Sequence, residues 1–209
     1  FFIYTKYPDD LEFSSYLGKN KFKILDFGKC PIAKLNGAFM YTAYEKGKPM
    51  RSFMVGSSNP SYTPINAVSE FLKSALLTSE DGNFYTHNGF NEEAFKRSIS
   101  ANFKEGRFAR GGSTISMQLV KNVFLTRNKT VARKVEEALL VWLIENNRIA
   151  SKERMYEVYL NIIEWGPAIY GIGEASHYYF ARSPSELSLA ESIFLAMIVP
   201  RPKAFKYNF

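Results

Sequence analysis

The chain of 209 residues holds one cysteine, Cys30, and two histidines, His87 and His177. An intrachain disulfide is thereby excluded, and a metal centre built from several His or Cys ligands is disfavoured. The lone cysteine does not assign a reducing compartment, since exported proteins need no disulfide. Aspartate is nearly as scarce: Asp9, Asp10, Asp26 and Asp81 are the full set, and none follows position 81. A Ser-His-Asp triad would have to draw its acid from those four. No Asp-x-Asp pair exists to hold a metal–nucleotide diphosphate, so glutamate must carry most acid–base work. Long apolar runs are missing too. The stretch from Ile193 to Val199 stops at Pro200, well short of the ~20 residues that span a bilayer. The first residues lack the charged start and cleavage site of a secretion signal. The abrupt opening at Phe1-Phe2-Ile3 and the close on Phe209 read as a fragment, with a membrane anchor expected outside it.

What is present is ordinary for a globular protein, with 46% hydrophobic and 22% charged residues. The length suits one domain, or one domain with a small appendage. Residues 1–60 read as an N-terminal accessory segment. Within it, residues 22–27 partly alternate like a strand, and 38–44 and 50–55 flank a hairpin turn at Glu45-Lys-Gly-Lys-Pro49. Residues 57–61 resemble a linker. From 61 to 209 the pattern is helical. A first helix is expected after Thr63-Pro64, with Val68, Phe71, Leu72, Ala75 and Leu76 at helical spacing. A second is expected from Asn91 and a third after Ser113 or Thr114, with Ile115, Met117, Leu119 and Val123 towards a core. A fourth runs from Thr130 to about Asn147, with Val131, Val135, Ala138, Leu139, Trp142 and Leu143 on one face. A fifth spans Ser151 to Asn161. Ser183–Glu186 and Ser188–Glu191 are two capping boxes, and the last helix starts there and ends at Pro200.

Charge is unevenly placed. Between Lys96 and Lys134 there are ten basic residues and one acid, Glu105, although the whole chain carries only +7. Such a cluster is either a solvated face or a site for a polyanion such as phosphate or anionic lipid. Inside it, Gly111-Gly-Ser-Thr-Ile-Ser-Met-Gln118 opens a helix with glycines and hydroxyls, and Lys121 lies one turn further on. Free N–H groups at a helix start bind anions, although the same pattern also serves as a plain cap. Glu80-Asp81 places two carboxylates at a helix end before Gly82. Neighbouring carboxylates disfavour each other's ionised form, which suits general acid–base work as well as a polar helix end. Arg133 and Glu137 share a helix face at i,i+4. His87 reads as a structural histidine.

Taken in order, these segments resemble the family 51 glycosyltransferases, the peptidoglycan glycosyltransferases. The resemblance rests on five stretches: Glu80-Asp-Gly-Asn-Phe-Tyr-Thr-His87-Asn-Gly89, Gly112-Ser-Thr-Ile-Ser-Met-Gln-Leu-Val-Lys-Asn122, Arg133-Lys-Val-Glu-Glu137, Lys152 through Asn161 with Trp165-Gly166, Tyr170-Gly171 and Tyr179-Phe180, and Ala190-Glu191 through Leu195-Ala196 to Pro200. It covers residues 64–205, and its spacing is closest to monofunctional members. Ser116 and Met117 stand where the family commonly has Thr and Gln, and Lys129 where it often has Arg.

The resemblance implies a mainly α, lysozyme-like two-lobed fold with a small N-terminal β element. It implies polymerisation of lipid II into glycan strands by inverting transfer, with release of undecaprenyl pyrophosphate. Glu80 matches the general base and Glu137 the second functional glutamate. Asp81, Ser113, Thr114, Gln118, Lys121, Lys129, Arg133 and Asn161 are the expected substrate contacts. Ile99, Phe103 and Phe108, set among Lys104, Arg107 and Arg110, are expected to meet an anionic membrane surface. The implied partners are lipid II, the growing glycan and inhibitors of the moenomycin type, at the outer face of the bacterial cytoplasmic membrane. Nucleic acid is not among them. No cofactor and no protein metal site are required, although the chemistry admits a divalent cation, Mg or Mn. Two other readings remain: a lysozyme-like glycan hydrolase and a non-catalytic envelope-binding protein.

Overall fold

A computed structural model describes residues 31–45, 47–90, 113–125 and 131–204. The expected strand at 22–27, the expected helix from Asn91, and Ile99, Phe103, Phe108 and Lys129 lie outside these.

The alternating segment before the linker forms an antiparallel hairpin. Strand β1 (Phe39–Glu45) pairs with β2 (Lys48–Val55) in a register that opposes Phe39 to Val55 and Thr42 to Ser52. The register slips after Ala43, so that Tyr44 faces Pro49. A bulge there suits a residue with no N–H to give to a ladder. Phe39, Tyr41, Ala43 and Val55 point inward and join the core of the helical body. Phe53 carries the contact onward, edge-on to Tyr41 and tilted against Tyr170.

Six helices follow among the described residues. α1 spans Glu70–Glu80, α2 Ile115–Phe124, α3 Val131–Asn146, α4 Lys152–Ile162, α5 Ile172–Phe180 and α6 Leu189–Ile198. A short antiparallel pair, β3 (Glu164–Gly166) and β4 (Ile169–Tyr170), sits between α4 and α5. α1 packs along α6, and α2 packs on both α3 and α4. Trp165, Tyr156, Tyr159 and Phe84 are the largest fully buried side chains. This is the mainly helical architecture with a small β element that the sequence implied.

Two local expectations are corrected. The helix predicted from Thr63-Pro64 does not start there. Pro64 is extended, residues Ile65–Ala67 form one 3-10 turn, and α1 begins only after Ser69. The backbone of Thr63 is engaged elsewhere: its N–H donates to Asn161 Oδ1 and its carbonyl accepts from Asn161 Nδ2, both at 2.8 Å. The face of α3 is the second correction. Val135 is 55% exposed, and Leu139 and Trp142 also look outward, while Leu140, Val141, Leu143 and Ile144 are buried. The helix carries two apolar stripes, and the one that shares its side with Glu137 packs inward.

The caps agree with the sequence. Thr114 accepts from Met117 N–H, Ser151 from Arg154 N–H, and Ser188 forms a capping box with Glu191. The other box, Ser183 with Glu186, closes a 3-10 turn, Pro184–Glu186, ahead of the last helix.

One polar node ties the segment before α1 to α4. Arg154 donates to the carbonyls of Leu35 (2.7 Å) and Gly37 (2.6 Å) and to Glu157. Glu157 also accepts from the Tyr62 hydroxyl and from Ile65 N–H (2.8 Å). Burial alone would raise the Glu157 carboxyl, but Tyr62, Ile65 N–H and Arg154 together hold it below its ordinary value. Burial and then the Glu157 carboxylate push the Tyr62 hydroxyl up to about 12. A carboxyl lowered in the folded state adds stability above its unfolded titration range and loses it as pH falls through the folded value. A raised tyrosine adds stability below its unfolded value of 10.0, lost as pH rises towards about 12. Glu157→Gln is therefore expected to cost ~1–3 kcal/mol at neutral pH and to flatten the loss of stability in acid. Urea unfolding of both proteins across the acid range checks this; parallel curves would contradict it.

Candidate active site

The adjacent acids at the end of α1 part company. Asp81 turns inward and is 7% exposed. Its carboxylate accepts from Ile115 N–H at 2.9 Å and faces His87 Nε2 at 2.9 Å from both oxygens. His87 Nδ1 accepts from Gly89 N–H at 2.9 Å. That nitrogen therefore carries no proton, and Nε2–H is the donor to Asp81. A carboxylate on the first N–H of α2 also complements the positive end of that helix. Asp81 thus fastens the start of α2 to the end of α1. Its two oxygens are thus engaged by the start of α2 and by His87.

The start of α2 is held residue by residue. The Thr114 hydroxyl donates to Gly89 carbonyl at 2.7 Å and accepts from Met117 N–H. Gly89 has φ +86°, and a Cβ there would lie 2.3 Å from Val141 Cγ1. The loop and α3 are in contact at this point because no side chain intervenes. Ser116 donates to Glu145 Oε1 at 2.7 Å, and Lys152 reaches the same oxygen at 2.6 Å. Ser116 keeps the hydroxyl that this bond requires, and Met117 is buried in the core. Thr114 is a cap and a loop anchor, buried to 3% exposure.

Gln118 is the first residue of α2 to reach Glu80. Its Nε2 donates to Glu80 Oε2 at 2.8 Å, and its Oε1 accepts from the Tyr159 hydroxyl at 3.0 Å. Gln118, Lys121, Arg133, Tyr159 and Glu164 line a cleft of about 390 Å3, closed at one side by Val199 and Pro202. Lys121 and Arg133 come from different helices yet share this cleft.

Glu137 lies at the back of the Arg133 side and is 1% exposed. Arg133 Nη1 is 2.9 Å from one carboxylate oxygen and Lys134 Nζ 2.6 Å from the other. Lys134 also reaches Ser113 Oγ at 3.3 Å, which ties the residue before α2 to α3. Ser113 itself is exposed. A carboxylate with a cation on each oxygen does not make a metal site, and among the described residues no three His, Cys, Asp or Glu side chains stand together to hold an ion.

Asn161 is not brought into the cleft. Besides its two bonds to Thr63, its Nδ2 donates to Glu157 carbonyl at 2.8 Å, and the residue is buried. It clamps the chain entering α1 onto α4. Tyr159 and Lys134 also touch the site residues, Tyr159 through Gln118 and Lys134 through Glu137. Tyr159 lies within a run of apolar residues, and only its hydroxyl separates it from a core phenylalanine. Lys134 was legible as an i,i+3 partner of Glu137.

The sequence pattern of the family described as Transglycosylase matches residues 46–208. The "Biosynthetic peptidoglycan transglycosylase" of Paraburkholderia xenovorans strain LB400 is 42% identical over 144 residues, covering 69% of this chain and 59% of that protein. The protein of the same description from Chromobacterium violaceum is 43% identical over 144 residues, covering 69% of this chain and 62% of its own length. That of Acinetobacter baylyi is 42% identical over 141 residues, covering 68% and 62%. The chain spans about three-fifths of the length of these curated relatives. The family match takes in every residue of the cleft, and the chain belongs to the transglycosylase family.

Proposed function

We propose that this chain carries the polymerising activity of a peptidoglycan glycosyltransferase, joining lipid II units into glycan strands. Glu80 takes the proton from the 4-hydroxyl of the acceptor sugar. The freed oxygen attacks the anomeric carbon of the growing chain from the side opposite its pyrophosphate. The new glycosidic bond forms as the bond to undecaprenyl pyrophosphate breaks, and the configuration inverts. One base suffices for such a displacement, with no covalent intermediate.

What supports this most directly is the pairing of a carboxylate with cations at one cleft: Gln118 bridges Glu80 to the wall that Lys121 and Arg133 share. A departing pyrophosphate accumulates negative charge, and cations placed beforehand stabilise it as it develops. Glu137 holds Arg133 and Lys134 in position. A hydrolase acting on finished glycan would meet neutral sugar and have no use for this pair. A binding protein without activity would have no use for a carboxylate held at the cleft by Gln118. No step is routed through a divalent cation, because the surroundings of Glu137 do not make a site for one.

In this reading the reaction takes place at the outer face of the cytoplasmic membrane, and the basic and aromatic run at Phe103 and Phe108 meets its anionic surface. Phe103→Ser/Phe108→Ser is expected to lower co-sedimentation with anionic liposomes; unchanged binding by the folded variant would refute the contact.

Glu80→Gln keeps the shape and removes the basicity. It is expected to nearly abolish glycan chains on a gel after incubation with lipid II, while binding of moenomycin, a donor mimic, persists. Long chains from this variant would overturn the assignment of the base, and an unmodified protein that digests finished peptidoglycan without polymerising lipid II would be a hydrolase. Lys121→Met is expected to slow turnover by on the order of 10²-fold or more. Near-normal polymerisation by that variant would remove Lys121 from the leaving-group site.

A further inference from the structure

We infer that Tyr159 is a positioning residue for the base: its buried hydroxyl anchors the far end of the Gln118 amide and so holds the NH2 end on Glu80. The inference rests on the reading of Glu80 as the base, and it concerns a residue whose side chain never touches Glu80.

A glutamine side chain ends in two groups of nearly equal size and opposite polarity. A half turn about its last bond exchanges a double donor for an acceptor. Beside an ionised carboxylate only the NH2 end is attractive; the carbonyl end would set two acceptors against each other. In the structure the NH2 end faces Glu80 Oε2 at 2.8 Å, and the carbonyl end faces Tyr159 at 3.0 Å. Among the described residues, Gln118 is the hydrogen-bond partner of the Glu80 carboxylate. The orientation of this amide therefore decides whether the base is held or repelled.

Tyr159 is built to keep the amide in the first orientation. Burial, and then the nearby Glu80 carboxylate, hold its hydroxyl well above the ordinary tyrosine value, so it stays protonated and remains a donor. Its ring has no exposed surface and stacks on Tyr156 with centroids 6.5 Å apart. Tyr156 is itself fixed through its hydroxyl, which donates to Lys73 carbonyl at 2.8 Å. Two residues further along α4, Asn161 clamps the helix to Thr63. The hydroxyl is thus a donor on a rigid mount, with Gln118 between it and the base.

This arrangement also divides the labour between the two oxygens of Glu80. Oε2 is engaged by Gln118, which leaves Oε1 to receive the proton of the acceptor hydroxyl. When the proton arrives on Oε1, the Gln118 N–H still has a carbonyl oxygen to face, so the amide need not turn during the step. Without the Tyr159 donor the carbonyl end of the amide loses its partner, and Gln118 is held towards Glu80 from one end only.

The test is a double-mutant cycle on lipid II polymerisation at a temperature where circular dichroism shows all four proteins folded. Tyr159→Phe is expected to lower kcat by about tenfold, the worth of one hydrogen bond of ~1.4 kcal/mol, with KM for lipid II within about twofold. Gln118→Met is expected to lower kcat at least as far. The two together are expected to be no slower than Gln118→Met alone, since Tyr159 acts only through that amide. A merely structural tyrosine would lower the unfolding midpoint and give multiplicative losses. Tyr159→4-fluorophenylalanine, which keeps the size and offers no donor, is expected to match the Phe variant and serves if that one folds poorly. Full kcat in either variant, or multiplicative losses, would overturn the inference. Those results with an inactive Glu80→Gln would leave the base in place, whereas an active Glu80→Gln would remove the base itself.

Discussion

The bond from Ile115 N–H to the Asp81 carboxylate joins the end of α1 to the start of α2, and the geometry of the cleft follows from it. The first N–H of α2 would otherwise be an unsatisfied donor in a buried place. A carboxylate that accepts from a helix N-terminus and from a neutral imidazole is stabilised by both and gives the junction one geometry. From that junction Glu80 projects on one side, and the first turn of α2 projects Gln118 towards it. The adjacent acids thus have separate tasks, one to fix the backbone and one to face the cleft.

The helices and their caps were legible in the sequence because their signals are local. Thr114, Ser151 and Ser188 each begin a helix at the residue where a hydroxyl precedes an apolar period. The pairing of Arg133 with Glu137 was legible for the same reason, since i,i+4 spacing fixes a shared face. What failed depended on contacts distant in sequence. Thr63-Pro64 has the local chemistry of a helix start, yet Asn161, 98 residues away, uses the backbone of Thr63. α3 has two apolar stripes of similar strength, and only packing against the rest of the body chooses between them.

The site residues divide along the same line. Gln118, Lys121 and Arg133, identified through motifs, line one cleft, and Gln118 joins Glu80 to it. Asp81, Thr114 and Asn161 lie in the same motifs, and each bonds the backbone of a segment distant in sequence. Sequence alone does not separate the two groups, because neighbours in one motif share its spacing. Their contacts separate them: Asp81, Thr114 and Asn161 reach backbone groups, whereas Gln118 and Arg133 reach carboxylates.

Glu137 deserves to be considered as a counterweight to the cations. Its carboxylate stands 2.9 Å from Arg133 and 2.6 Å from Lys134, out of solvent. In the proposed reaction, cations alone would hold the pyrophosphate more tightly after transfer, when it carries more charge, and the lipid carrier would leave slowly. By partly neutralising the two cations, the buried carboxylate would weaken that hold while keeping Arg133 in place. In the proposed reaction, turnover then depends on a field strong enough to draw the leaving group away and weak enough to let it go.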